Sequence, residues 1–304
     1  MFSATATLAQ GQTNDASKSK PTTSELLKMS LNRALGGGTA GAMAMGINVL
    51  TLMWLRTTVN YQYRYGTSTT TALKTLYKEG GVPRFYRGLF PALFQGPLSR
   101  FGDTAANTGV LALLDSMDST KNLNVGLKTA LCSATAAVWR IALMPIDTTK
   151  TIMQVEGKHG FSKLVGKVKA SRPTVLYHGA LASASASMVG HYPWFMTFNT
   201  LQEVLPKPDS DDTIRKLGRN AVIGFCSSAV SDTCSNSIRV IKVYKQSSTT
   251  PVTYLQAVAN VIKSDGILGL LGRGLKTKLI ANGFQGICFS VLWKYIDEKL
   301  MSKK

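Results

Sequence analysis

The chain has 304 residues, of which 35 are Lys or Arg and 16 are Asp or Glu, a formal excess of 19 positive charges. Hydrophobic residues make up 44% and charged residues only 17%, which excludes a disordered chain and leaves nucleic acid or an anionic membrane surface as classes of partner. The four cysteines, Cys132, Cys226, Cys234 and Cys288, form no CxxC pair and no zinc-like spacing with the three histidines, so buried thiols are expected rather than a disulfide framework or a metal site.

Residues 1–28 are polar, contain no arginine and lack an apolar core of signal-peptide length, so they read as a disordered tail. From Ala34 to Leu55 run 22 residues without a charge, enough to cross a bilayer as a helix, with Arg33 and Arg56 at the ends. A polar loop follows, then a short amphipathic helix near 69–79, then a second apolar helix carrying Arg100 and Asp103 three residues apart on one face. The third apolar stretch holds CSATAA at 132–137 and an isolated Arg140, and a second amphipathic helix is expected near 160–170. Pro173 to Gln202 is uncharged apart from His178 and His191, and it contains SASAS at 183–187. His191, beside Tyr192-Pro193, reads as a packed polar residue at a helix kink. A fifth stretch with Asp232, a third amphipathic helix near 252–264 and a final apolar stretch complete the chain. Runs of small residues let helices approach closely in lipid, and isolated charges inside a membrane bundle face a polar cavity. The pattern favours a membrane bundle over a large soluble one.

Self-comparison shows one block three times: a charge-poor helix, a basic exit, a polar loop, an amphipathic stretch, and a glycine turn opening a second apolar helix. The basic anchors Arg56, Lys150 and Lys242 are 94 and 92 residues apart, and the turn glycines Gly88, Gly179 and Gly274 follow them by 32, 29 and 32. The repeats span residues 29–118, 119–208 and 209–304, giving six spans with both termini on one side. The loops at 61–87, 155–178 and 246–273 hold 12 Lys or Arg, whereas the connections at 117–122 and 205–213 hold Lys121 and Lys207 against four aspartates. The positive-inside rule therefore places the long loops on the matrix or cytoplasmic face.

Three such repeats, with Pro145-Ile146-Asp147-Thr148-Thr149-Lys150 followed by Gln154 and then a Tyr-basic-Gly turn, resemble the mitochondrial carrier family over roughly residues 30–300. The resemblance implies an all-α membrane protein of six transmembrane helices in three pseudo-symmetric pairs, each with a short amphipathic matrix helix. It implies a multi-pass protein of the mitochondrial inner membrane with both termini toward the intermembrane space. The implied function is transport of a small anionic or polar metabolite by alternating access. The alternative is a carrier-fold protein without transport, acting as a structural subunit or adaptor in a larger membrane complex. Membrane lipids, among them cardiolipin at the matrix-side turns, are the other implied partners.

In that family a proline kinks each odd-numbered helix, and the acid and base that follow close the matrix side through a ring of salt bridges. Here the proline places read Thr51, Pro145 and Ser237, so Pro145 is the one such kink among the odd-numbered helices. The ring reads Met53 and Arg56, Asp147 and Lys150, Arg239 and Lys242. The family's pairing leaves Asp147–Lys242, sets Lys150 opposite Met53, and sets Arg56 opposite Arg239. Four positive charges against one negative would close a gate poorly but would attract anions, unless some of these side chains snorkel to lipid phosphates. The glutamine that braces the gate is kept as Gln154 and Gln246 and is Asn60 in the first repeat. On the opposite side the closing motif is weak: Phe198-Asn199-Thr200-Leu201-Gln202 is neutral, and Trp293-Lys294-Tyr295-Ile296-Asp297 has acid and base exchanged.

About two helical turns beyond each turn glycine lie the candidate substrate contacts Gln95, Ala186 with Ser187, and Ile280, with Lys276 and Lys278 within a turn and Arg100 as a further candidate. Arg100 and Asp103 can pair with each other, and Arg140 and Asp232, at matching places in repeats two and three, can pair across the bundle. Paired catalytic carboxylates, a nucleophile elbow and a phosphate-cradling GxxxxGK are missing, so an enzyme, a cofactor and a metal are not expected. The basic residues are spread over three loops rather than clustered, which argues against nucleic acid.

Overall fold

The computed structural model describes residues 45–116, 120, 122–206 and 212–286. The polar tail at 1–28, the small-residue run up to residue 44, Cys288 and the Trp293–Asp297 motif lie outside the described residues, as does the side chain of Arg100. Among the described residues there is no strand. The chain runs through α1 (45–65), α2 (Thr69–Phe85), α3 (Leu89–Ser116), α4 (Val125–Ala142) and α5 (Met144–Glu156). It continues with α6 (Gly160–Ser171), α7 (Ala180–Val204), α8 (Thr213–Ser247), α9 (Tyr254–Gly272) and α10 (275–286).

Helix starts follow local chemistry. The Ser68 hydroxyl accepts from the Thr71 amide at the head of α2, and Asp212 accepts from the Arg215 amide at the head of α8. Thr253 and Gln256 form a reciprocal capping box at α9. The regular parts of α2 and α9 end where Gly81 (φ 63°) and Gly266 (φ 70°) leave helical geometry. Helical segments therefore cover 69–79, 160–170 and most of 252–264.

Among the described residues no single helix is long and apolar enough to cross a membrane on composition alone. Segments Leu127–Ala142 and Met144–Ala170 do so as a pair, meeting at 64°. Hydroxyls, glycines and inward charges dilute the apolar content of the other helices. The break lies at Leu143, where Pro145, which has no amide hydrogen to donate, stands in the first turn of α5. At the matching places Thr51 and Ser237 keep their amides, and α1 and α8 run through without a break.

Close approach through small residues sets the packing. The Ser231 hydroxyl of α8 donates to the Gly190 carbonyl of α7 at 2.7 Å. Gly102 of α3 lies under the Trp139 ring of α4, whose Nε1 donates to the Leu98 carbonyl at 2.9 Å. At one end of the bundle, Val59 and Tyr63 of α1, Val155 of α5 and Val240 and Val243 of α8 meet in a buried cluster with Val261 of α9.

The three turn glycines have left-handed backbones, with φ of 81° at Gly88, 89° at Gly179 and 65° at Gly274. Each sits on a helix distant in the sequence. A Cβ at Gly88 would lie 3.0 Å from the Lys150 carbonyl of α5, one at Gly179 3.1 Å from Lys242 of α8, and one at Gly274 2.9 Å from Tyr63 of α1. The seating is circular: α3 enters on α5, α7 on α8 and α10 on α1. Gly88→Ala is expected to lower stability by about 1–3 kcal/mol, from backbone strain and the backbone oxygen in its way, read as a fall in Tm in detergent.

Candidate functional site

Above the valine cluster, the polar side chains of α1, α5 and α8 face one another. Asp147 stands in the first turn of α5, one turn past the break, and is almost fully buried. Its Oδ1 accepts from Lys150 Nζ at 2.8 Å and its Oδ2 from Lys242 Nζ of α8 at 2.7 Å. A third donor, Gln246 Nε2, reaches Oδ2 at 3.3 Å and also donates to Thr148 Oγ1 at 3.1 Å. One carboxylate thus carries two ammonium groups, leaving one positive charge in excess. Such a pair is held by geometry and extra hydrogen bonds, because desolvation offsets much of the Coulomb attraction.

Lys150, expected opposite Met53, has a second partner besides Asp147. Its ammonium also donates to Gln95 Oε1 of α3 at 2.9 Å. Where the first repeat has methionine, a neutral contact replaces the ion pair: Gln154 Nε2 donates to Met53 Sδ at 3.5 Å, and Asn60 Nδ2 donates to Gln154 Oε1. Methionine sulfur is a weak acceptor, so this closure between α1 and α5 is softer than the one between α5 and α8.

Arg239, expected opposite Arg56, has partners of its own. Its Nη2 lies 3.4 Å from Asp232 Oδ1 and its Nε donates to Ser235 Oγ at 3.1 Å. Arg56 donates to Met45 Sδ at 3.7 Å, and no carboxylate among the described residues lies within ion-pair distance of it. The expected Arg140–Asp232 pair does not form. Arg140 clasps Asp103 of α3 with Nε at 3.2 Å and Nη2 at 2.6 Å. Asp232 instead receives Arg239, Lys278 at 4.0 Å and Asn282. Helix α3 lies directly against α4, so the nearest acid wins over the symmetric one. Asp103 is thus a partner of Arg140, while the expected Arg100–Asp103 pair falls on a side chain outside the described residues.

A small cavity opens over this centre, lined in part by Gln95, Ser99, Arg140, Asp147, Ser183 and Lys242. Of the candidate substrate contacts, Gln95 lines it. Ala186 and Ser187 are buried one turn beyond Ser183, with the Ser187 hydroxyl donating to the Ser183 carbonyl. Ile280 is exposed, and Lys278 is turned toward Asp232. His191 Nδ1 and Ser133 Oγ are 2.7 Å apart, which ties α7 to α4.

Two residues that spacing does not reveal hold the end of the bundle. Arg84 donates to the Gln154 and Val155 carbonyls at the end of α5, both at 2.8 Å, while its Nε pairs with Glu79 at 2.7 Å. Arg273 reaches the Tyr63 and Arg64 carbonyls at the end of α1, at 3.4 and 3.3 Å, and pairs with Asp265. Both satisfy orphan carbonyls of a helix terminus with a cation, where the helix dipole favours one. The signal available in the sequence was the acid-glycine pair before each arginine, Glu79-Gly80 and Asp265-Gly266. At the end of α8 it is Lys167 that donates, to the Ser248 carbonyl. Burial holds the Lys167 ammonium below its usual pKa, and burial, followed by the charges of Lys245 and Lys167, lowers that of His178.

Among the described residues no group of acids, histidines and cysteines is placed to hold a metal ion. The family model described as mitochondrial carrier protein matches residues 215–304. None of the curated proteins matches the chain.

Proposed function

We propose that the chain, whose residues 215–304 match the model of the mitochondrial carrier proteins, is a carrier that moves a small anionic or polar metabolite across the mitochondrial inner membrane by alternating access. The observation that carries the reading is the Asp147–Lys242 bridge, which joins helices of two repeats directly beneath a polar cavity. A solute entering that cavity meets Gln95, Ser99 and Ser183 as hydrogen-bonding groups and the excess positive charge around Asp147 as an anion-attracting floor. Compensating for the loss of the bridge is how solute binding would open the floor.

The proposed arrangement has six spans in three repeats, the long basic loops toward the matrix and both termini toward the intermembrane space. The loop charges and the circular seating of the turn glycines support it. The basic matrix-side turns also suit an anionic lipid headgroup such as that of cardiolipin.

Protein reconstituted in liposomes and offered phosphate, carboxylates, nucleotides and amino acids is expected to show saturable uptake of at least one class. Lys242→Gln is expected to reduce that uptake at least tenfold, because the floor no longer recloses. Absence of flux with every class, together with stable copurification in a larger complex, would replace the carrier reading with the structural-subunit one.

A further inference from the structure

The groups that line the cavity are not all spent on one another. Arg140 clasps Asp103 through Nε and one N–H of Nη2, so Nη1 and the second Nη2 N–H have no partner among the described residues. Gln95 accepts from Lys150 through Oε1, which leaves its Nε2 uncommitted among the described residues. The Ser99 and Ser183 hydroxyls are without a partner there as well. None of these four residues belongs to the gate ring. Leu143 and Met144 complete the wall and make one side of it apolar.

Charge sets the valence of what can enter. Arg140 and Lys242 line the cavity, and Lys150 shares Asp147 with Lys242. Against these three cations stand the carboxylates of Asp103 and Asp147, in ion pairs of 2.6–2.8 Å. One positive charge remains. A solute with a single negative charge neutralises it, a dianion overshoots it, and a zwitterion leaves it standing. The free edge of Arg140, between Nη1 and Nη2, presents two parallel N–H groups that match the two oxygens of a carboxylate.

We propose that Arg140 recognises the solute by taking its carboxylate on that edge, while Gln95 Nε2 and the Ser99 and Ser183 hydroxyls bind a hydroxyl or oxo oxygen beside it. The proposal rests on the carrier reading and narrows the solute to a small hydroxy- or oxo-monocarboxylate, its short apolar end against Leu143 and Met144.

The test is thermal-shift titration of the full chain in detergent, paired with liposome uptake of the same compounds. The probes are lactate, pyruvate, propionate, neutral lactamide, succinate, phosphate and glycine. Lactate or pyruvate is expected to protect at a concentration at least tenfold below that of any other probe, and the better of the two assigns the hydroxy or oxo form. Arg140→Gln is expected to weaken that binding at least tenfold, as is Arg140→Lys, which keeps the charge without the fork. Ser99→Ala combined with Ser183→Ala is expected to abolish the preference over propionate. Asp103→Asn raises the excess to two charges and is expected to shift the preference toward succinate about tenfold, which a merely structural clasp does not do. Equal protection by lactamide, tighter binding of succinate, phosphate or glycine, or a preference unmoved by Asp103→Asn overturns the proposal. Saturable uptake of another probe without lactate or pyruvate binding removes the site and leaves the carrier. Binding that follows the variants, without flux of any probe, removes the carrier and leaves the site.

Discussion

Asp147→Ala is expected to be the most damaging single change in the chain. It leaves the Lys150 and Lys242 ammonium groups, 16% and 18% exposed, facing each other without their shared carboxylate. Breaking a buried pair from one side costs about 3–5 kcal/mol, mostly the cost of an uncompensated charge. Gln246 Nε2 would also lose one of its two acceptors, and its Oε1 is already without a partner. A fall in Tm on the order of 10 °C in detergent is expected, together with loss of saturable flux. The double variant Asp147→Ala, Lys242→Met separates causes. Removing one of the two stranded cations should recover part of the stability but none of the transport. If the double variant is no more stable than the single one, the damage comes from lost packing rather than from charge.

Arg84→Leu is the second large effect. The guanidinium is 4% exposed and serves two carbonyls at the end of α5 and the carboxylate of Glu79. Leucine fills the space but leaves those carbonyls in an apolar setting with no donor, a cost of about 1–3 kcal/mol for each group left unsatisfied. A total of about 3 kcal/mol is expected, measured as a loss of thermal stability. Glu79→Gln should cost under about 1 kcal/mol, because Glu79 is 41% exposed and water replaces the pair. Equal losses from the two variants would mean that the ion pair, not the helix cap, is what Arg84 contributes. Arg273→Leu should follow the same order with a smaller loss, since its carbonyl contacts are longer, at 3.3–3.4 Å.

Much of the helical layout was legible because a duplicated sequence repeats its punctuation. Three glycines at nearly constant distance from three basic residues could only mean three equivalent turns, and a left-handed φ at each is what spares glycine there. The Asp147–Lys242 contact could be read because both residues lie at the convergent ends of their helices, where repeat symmetry fixes height and direction. The partners of Arg140 and Asp232 could not. Matching places in two repeats lie at equal height on separate helices, but height says nothing about which neighbour presents an acid nearer by. Asp103 on α3 is that neighbour for Arg140, and Arg239 and Lys278 are those for Asp232. Arg84 and Arg273 escaped for a different reason. One stands four residues before its turn glycine and the other one residue before, so aligning the repeats does not superimpose them. Their common task is set by where each side chain can reach, and that depends on the glycine breaks in α2 and α9.

The circular seating of the three glycine turns has a mechanical consequence. Each leaf of the ring rests on another, so displacing one would lever the turn seated on it, as in an iris. The fastenings of that iris are unequal. Two hinges are riveted by a buried arginine, at Arg84 and Arg273, while the third is tied by the single ammonium of Lys167. The leaf formed by α8 is thus the one with the lightest latch.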